Sequence, residues 1–445
     1  DRRGRTMGNL GSVVARDNYD VIVVGTGPGG ATVARDMARK QKKVLMLEWW
    51  PGNAPNGGVV QSVMEMLIPF KSLLLTPQVL GMVRGICTGG SSIYYYGTSY
   101  PIPFEMFKAK GVDLKEADNE VRKELPFIGP LKEHMITTMA KTMRESAQDL
   151  GYNWKPLDKY IIQDKWSPDY KWGVNDPRDI KWSSLMWVRD ALKDGATLLN
   201  HAKVVRVLLE NKKAVGVEFK MKGTMYRAYG STVVLAAGGI GSPCILRATG
   251  IKDVGNDFFF DPLITVCGEH KYITKENEMP MQCGCAFPDD EYLMTDMALP
   301  LWLHENIFAT EVFRFDQLFK GKKTFRIMVK SKDALGGRLT DGGQVLKILG
   351  SKEKKKLLHG KERARKILEH AGCHSIYGTY YFAAHPGGTV KLGEFVDSNL
   401  KTQFDNLYVC DCSVIPEAWG LPPVQSILAL GRYLSKNLLG ETKKK

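Results

Sequence analysis

The sequence predicts an α/β fold in two parts: a parallel sheet wound with helices, and an inserted unit built on an antiparallel sheet. Three observations carry this. Residues 19–25 read Y-D-V-I-V-V-G, a short apolar β-branched run that suits a buried parallel strand. A Gly-rich turn, a helical stretch and a second apolar strand follow, completing a strand–turn–helix–strand unit. From 261 to 335 short runs alternate in apolar and polar residues, as antiparallel strands do. The 445 residues allow two or three domains and a sizeable core. The 45 glycines exceed the usual share and point to tight turns and backbone lying close to a ligand.

The elements follow in order. After the first strand, Gly25, Gly27 and Gly30 form a Gly-x-Gly-x-x-Gly turn, and a helical stretch runs from Ala31 to Lys40. The second strand, V-L-M-L at 44–47, ends at Glu48. Residues 106–190 are mostly helical in pattern. Two β-like runs occupy 197–221, split by E-N-K-K, and T-V-V-L-A-A at 232–237 leads into G-G-I-G-S-P. Residues 352–371 predict an amphipathic helix with Leu357, Leu358, Ala364, Ile367, Leu368 and Ala371 on one face and Gly372 as C-cap. N-L-Y-V-C-D at 406–411 reads as a strand, and a Pro-initiated helix spans about 423–438.

Composition narrows the function classes. No apolar run reaches the ~18 uncharged residues a bilayer span needs. The N-terminus has no apolar h-region, so it is not a secretory signal, and Met7 is read as a native start behind a short remnant. Eight Cys without a C-x-x-C pair argue against a disulfide framework or a zinc site and for a reducing, cytoplasmic compartment. The net charge of +14 fits a basic solvated surface; a nucleic acid, an anionic (peripheral) membrane surface, an acidic partner or an anionic ligand are the alternatives. No recognition helix, zinc finger or aromatic-basic stacking motif supports nucleic-acid binding.

Chemistry is concentrated in two glycine-rich segments. In the first, Gly25 permits the tight turn, Gly27 lets backbone approach a pyrophosphate, and Gly30 lets helix and sheet pack closely. The helix start offers N–H groups and a positive dipole end to phosphate. Glu48 stands where a carboxylate can accept ribose hydroxyls. The alternative is a chance Gly-rich turn, but strand, helix and acid are all in place around it. In the second, R-G-I-C-T-G-G-S-S-I at 84–93, Gly89, Gly90 and Ser91 would expose a row of backbone N–H groups suited to a flavin.

Together with A-A-G-G-I-G-S-P-C-I-L-R-A-T-G-I at 236–251, H-P-G-G-T-V-K-L-G at 385–393, V-D-S-N-L-K-T at 396–402 and N-L-Y-V-C-D-C-S-V-I-P at 406–416, these segments resemble the glucose–methanol–choline (GMC) oxidoreductases, in the family's order. The resemblance implies a Rossmann-like FAD-binding domain assembled from 18–105, 191–260 and 385–440. It also implies an inserted antiparallel-sheet (α+β) substrate domain from 106–190 and 261–384. It implies oxidation of a CH–OH group by hydride transfer to flavin. By its motifs, Gly25, Gly27, Gly30 and Glu48 hold the ADP half of FAD, and Val205 and Ala237 lie along the adenosine. Gly89, Gly90 and Ser91 approach the flavin, Asp411 lies beside the pyrophosphate and ribityl chain, and Pro423 and Val424 open a helix toward the flavin ring.

His385 occupies the position of the family's flavin-facing histidine and is the candidate base, with an ordinary pKa near ~6.5. The plain alternative is a satisfied core histidine. Two departures stand out. Pro422 replaces the family's second polar residue, so Gln425, Trp419 or His374 would have to hold the substrate oxygen. The S-S-I-Y-Y-Y stretch after Gly90 lacks the His that links flavin covalently in some members, so FAD is expected to be non-covalent. The stretch 164–176 has no Cys, and no iron–sulfur cluster is expected. Tyr94, Tyr95, Tyr96, Tyr377, Tyr380, Tyr381, Phe382 and Trp419 suggest an apolar or ring-containing alcohol. The electron acceptor, whether oxygen, quinone or redox protein, is not fixed. A lyase or flavin photoenzyme on the same fold, or an electron-carrying subunit, is the alternative.

Overall fold

The computed structural model describes residues 18–50, 65, 67–170, 178–276, 279–298 and 309–441. Met7, the C-terminal lysine run at 443–445 and part of the Cys-free stretch at 164–176 lie outside them. β1 (Asn18–Val24) is buried from Val21 onward, as a central parallel strand is. α1 (Pro28–Arg39) starts on Pro28, whose missing N–H costs nothing in a first turn. β2 (Val44–Leu47) then lies parallel to β1, with Val21 opposite Val44.

β3 (Leu73–Leu75) and β4 (Gly81–Val83) form a small antiparallel pair. α2 (Lys115–Glu124) and α3 (Ser184–Lys193) come next, and β5 (Thr197–Leu199) joins β2 in parallel. β6 (Lys203–Glu210), β7 (Lys213–Met221) and β8 (Thr224–Leu235) meander antiparallel. The run 197–209, read as one strand, is two, because the chain turns at His201 with φ +59°. β8 changes neighbours midway: its first half pairs with β7, and from Tyr229 it runs mainly parallel to β1. α4 (Gly238–Thr249) follows directly.

β9 (Pro262–His270), β10 (Cys283–Phe287), β11 (Tyr292–Asp296) and β12 (Thr324–Ser331) build the second, antiparallel sheet. α5 (Ser351–His370) covers it with Leu357, Ala364, Ile367 and Leu368; Leu358, expected on that face, is exposed. Gly372 takes φ +85°, the left-handed turn that ends such helices. β13 (Cys373–Gly378) and β14 (Phe382–Ala383) return to β9. β15 (Leu407–Val409) pairs parallel with the second half of β8, and α6 (Val424–Leu438) packs on α1 and α2.

The first sheet therefore runs β5-β2-β1-β8-β7-β6 with β15 also on β8. The second runs β3-β4-β14-β9-β12-β11-β10 and ends on Lys155–Pro156, with β13 also on β9. The architecture is α/β, a Rossmann-like half with a second, antiparallel half. Two boundaries differ from those the motifs suggest. Residues 73–83 join the second sheet, because β4 lies parallel to β14. Conversely, Phe107, Val121, Trp187 and Val188 are buried in the first core, since α2 and α3 cover α1 and α6. Arg35 of α1 lies 3.6 Å from the Trp187 ring centroid.

Candidate active site

A glycine-lined cradle is assembled where β1 and β2 end. Glu48 is buried, and its carboxylate is held by the Thr26 backbone N–H at 3.1 Å, the Thr26 hydroxyl at 2.6 Å and the Trp49 N–H at 2.8 Å. Burial pushes its pKa upward against those hydrogen bonds. The Thr26 oxygen also accepts from Gly89 N–H at 3.0 Å, which ties the second glycine segment to the first. The two segments touch so closely that a Cβ on Gly90 would lie 2.9 Å from Gly27 Cα. Gly25 (φ +98°) and Gly30 have no room for a side chain: their Cβ atoms would meet backbone oxygens at 2.3 and 2.1 Å. Gly27 differs, for a Cβ there meets nothing within 4 Å. Ser91 is exposed, and its oxygen accepts from Gly85 N–H. Val205 stands unpaired at a bulge between β6 and β7, just after Ala202 N–H bonds the Glu48 carbonyl.

From this cradle the structure is continuous to His385. A Cβ on Gly29 of α1 would meet the Cys410 carbonyl. Next to it the buried Asp411 carboxylate accepts from Gly238 N–H (2.8 Å), the Ser242 hydroxyl (2.5 Å) and Ser413 N–H (2.8 Å). It thus fixes the start of α4, where negative charge is favoured; burial raises its pKa too. Ala237 is the N-cap of that helix, and its N–H bonds the Ser242 oxygen. Gly239 packs against the Pro386 carbonyl, one residue from His385. Pro423 and Val424 open α6, as the resemblance implies.

His385 takes φ +54° and Asp261 φ +43°, left-handed backbone that non-glycine residues adopt at some cost. Asp261 Oδ2 and Lys330 Nζ lie 3.0 Å apart, both side chains only 2% exposed. His385 Nδ1 sits 2.9 Å from Lys330 Nζ and 3.4 Å from Asp261 Oδ2, while the ring is 32% exposed. Its pKa is lowered by burial first and by the Lys330 charge second, with Asp261 opposing. Behind them Asp333 accepts the Phe260 and Asp261 N–H groups and pairs with Lys347 at 2.8 Å. Burial raises Asp333 to about 6.

The three stand-ins for the missing polar residue fare differently. Gln425 is consumed in packing: it accepts from the Tyr160 hydroxyl and donates to Asp118. His374 lies beside Glu269, at the far end of β9 from Asp261. Trp419 remains, its ring 6.5 Å from that of Phe259 and its indole N–H buried without a partner among the described residues. Most of the aromatic set does not converge either. Tyr95 bonds Trp182, Tyr377 stacks beside Arg314, and Tyr380 and Tyr381 line a separate cavity with Gln78, Leu80 and Lys354. Of the aromatic set only Tyr96 joins an apolar cluster beside Lys330, with Leu263, Met328 and Leu421, which sequence reading missed. Leu263 lies directly across from Lys330 in the sheet.

The residues fit a flavin dinucleotide. The open side of Gly27, the buried Glu48 carboxylate and the Asp261 Oδ1, Ser413 Oγ and Trp419 Nε1 atoms, which find no partner among the described residues, describe a cradle and a polar site next to it. Among the described residues no group of His, Cys, Asp or Glu could hold a metal, and no helix is long and apolar enough to cross a membrane.

Comparison with known proteins agrees with this fold. Two models described as GMC oxidoreductase match residues 104–263 and 316–431. An uncharacterized protein of Methanocaldococcus jannaschii is 26% identical over 95% of this chain and 100% of its own. Long-chain-alcohol oxidase FAO4A of Arabidopsis thaliana is 21% identical, covering 100% of this chain and 72% of its own. The crystal structure of pyridoxine 4-oxidase from Mesorbium loti superposes with a TM-score of 0.75 over 94% of this chain and 99% of that one, at 16% identity.

Proposed function

This chain belongs to the GMC oxidoreductases, enzymes acting on CH–OH donors, and from that premise we propose that it oxidises an alcohol with non-covalently bound FAD, His385 serving as base. The observation that carries the reading is the unbroken contact from the Thr26–Glu48 cradle through Asp411 and α4 to Pro386 and His385. Bound FAD would supply the hydride acceptor. Gly25, Gly27, Gly30 and Glu48 would hold its adenosine and phosphates, with Val205 and Ala237 along the adenosine. Gly89, Gly90, Ser91, Pro423 and Val424 would border the flavin end. His385 would meet the substrate hydroxyl with Nε2, the ring nitrogen that no described residue bonds.

The apolar cluster of Leu263, Met328, Leu421 and Tyr96 favours an apolar alcohol over a polyol. The test is an anaerobic panel running from ethanol to 1-dodecanol and including benzyl alcohol and cyclohexanol, followed by the flavin's visible absorbance. Reduction is expected with the larger apolar members, and admission of oxygen or a quinone then identifies the acceptor. His385→Ala should slow that reduction about 100-fold or more, with FAD content little changed. No bleaching by any alcohol, or an unimpaired variant, would leave the reading without support.

A further inference from the structure

Lys330 and His385 face each other in a way that decides where the imidazole proton sits. The ammonium reaches Nδ1 at 2.9 Å and Asp261 Oδ2 at 3.0 Å, so it can point one N–H at each. An ammonium has no lone pair. A proton on Nδ1 would collide with it, so while Lys330 is charged Nδ1 accepts and the neutral ring carries its proton on Nε2. Nδ1 to Asp261 is the longer contact, 3.4 Å. The other groups around the ring do not alter this. Asp333 spends its oxygens on backbone N–H groups and Lys347. Cys412 donates its thiol to the Pro386 carbonyl. Asp411 is engaged by Gly238, Ser242 and Ser413.

We propose that His385 works as a couple with Lys330: at rest the ring donates from Nε2, and it becomes a base only when the couple has given up a proton. This rests on the alcohol-oxidation reading above. In the deprotonated couple Nδ1–H donates to a neutral Lys330 amine and Nε2 holds a lone pair. When the alcohol reacts, the O–H bond breaks as Nε2–H forms, and Nδ1–H breaks as Nζ–H forms. Bound FAD would accept the hydride with the C–H electron pair, while the oxygen uses the O–H pair to close the carbonyl. The proton ends on Lys330, as an ammonium paired with Asp261. Lys330 is thus a positioning residue and proton store, because only His385 meets substrate.

The sign of one pH shift separates this from an independent imidazole base. The couple titrates between the ordinary values of histidine, ~6.5, and lysine, ~10.4. The wild-type reduction rate should therefore rise with pH through a group above ~6.5. Lys330→Met leaves His385 with Asp261 as acceptor for Nδ1–H, and the limb should move down toward ~6.5. An independent base beside a cation would give a wild-type limb below ~6.5 that moves up in the same variant. Lys330→Arg keeps the charge but cannot release a proton, so reduction should be slow by about 100-fold across the pH range.

The readouts are rapid-mixing flavin reduction by benzyl alcohol, or by the fastest alcohol of the panel, and ¹⁵N spectra of labelled histidine in the FAD-loaded wild type. His385→Gln identifies the signal, and the expected pattern near pH 6 is bare Nδ1 with protonated Nε2. A proton on Nδ1, a limb that moves up or stays, or a fast Lys330→Arg enzyme each overturns the couple. If Lys330→Met does not fold, the wild-type spectrum and limb still decide. If His385→Ala is itself unimpaired, the alcohol-oxidation reading has failed instead.

Discussion

The hydroxyl of Thr26 holds two parts of the cradle together, giving its proton to Glu48 and accepting one from Gly89. Thr26→Val leaves the Gly89 N–H buried and unpaired and takes a donor from a buried carboxylate. It should cost about 1–3 kcal/mol in urea unfolding and weaken FAD binding, with Thr26→Ser restoring both. Glu48→Ala should raise the FAD dissociation constant more than it changes reduction at saturating FAD, since its carboxylate lies on the cradle side; a large rate loss at unchanged affinity would contradict that. Sequence pointed to Glu48 and the glycines because spacing constrains them. Thr26 fills an unconstrained place in the turn and gave no signal. Nor did Asp261 and Lys330, which meet only through the register of β9 on β12. His374 was misleading for the opposite reason. It is near His385 in sequence, yet its partner Glu269 lies seven residues along β9 from Pro262, about 23 Å at ~3.3 Å per residue.

At the element scale, the turn into α1 holds glycines with no room for a side chain and one, Gly27, with open space beside it. Gly30→Ala drives its Cβ to 2.1 Å from the Gly25 carbonyl. It should destabilise FAD-free protein by about 1–3 kcal/mol, read as a lower urea midpoint. Gly27→Ala meets no protein atom and keeps an ordinary φ of −67°. Its FAD-free midpoint should stay within about 0.5 kcal/mol of wild type while FAD retention falls. Equal loss of stability in both would remove the argument that Gly27 is shaped by the cofactor. Most elements of the first sheet were legible, because buried parallel strands and their glycine turns are local patterns. The assignment of β3 and β4 to the second sheet was not: their pairing partner β14 lies some three hundred residues on. Leu358 was misjudged because 3.6-residue spacing gives a stripe but not how wide a face the sheet covers.

For the whole molecule, the cradle draws on β1, β2, the 84–93 segment, α4 and the 410–424 stretch, so one ligand would tie together pieces from both ends of the chain. Added FAD should raise the melting temperature, by about 2.7 kcal/mol of stabilisation at a hundred times its dissociation constant. In Glu48→Ala the shift at the same FAD concentration should shrink; an undiminished shift would place the ribose elsewhere. The exchange of partners along β8 has a consequence for biosynthesis. Its second half is flanked by β1, made first, and by β15, made some 170 residues after β8 itself. Until the ribosome has released that late stretch, Val233–Leu235 present an unsatisfied, apolar edge to any other chain nearby. Contacts so distant in sequence also form slowly. The nascent protein therefore completes its central sheet only once Leu407–Val409 have emerged, and its yield at elevated temperature should rise when a chaperone that shields apolar edges is supplied.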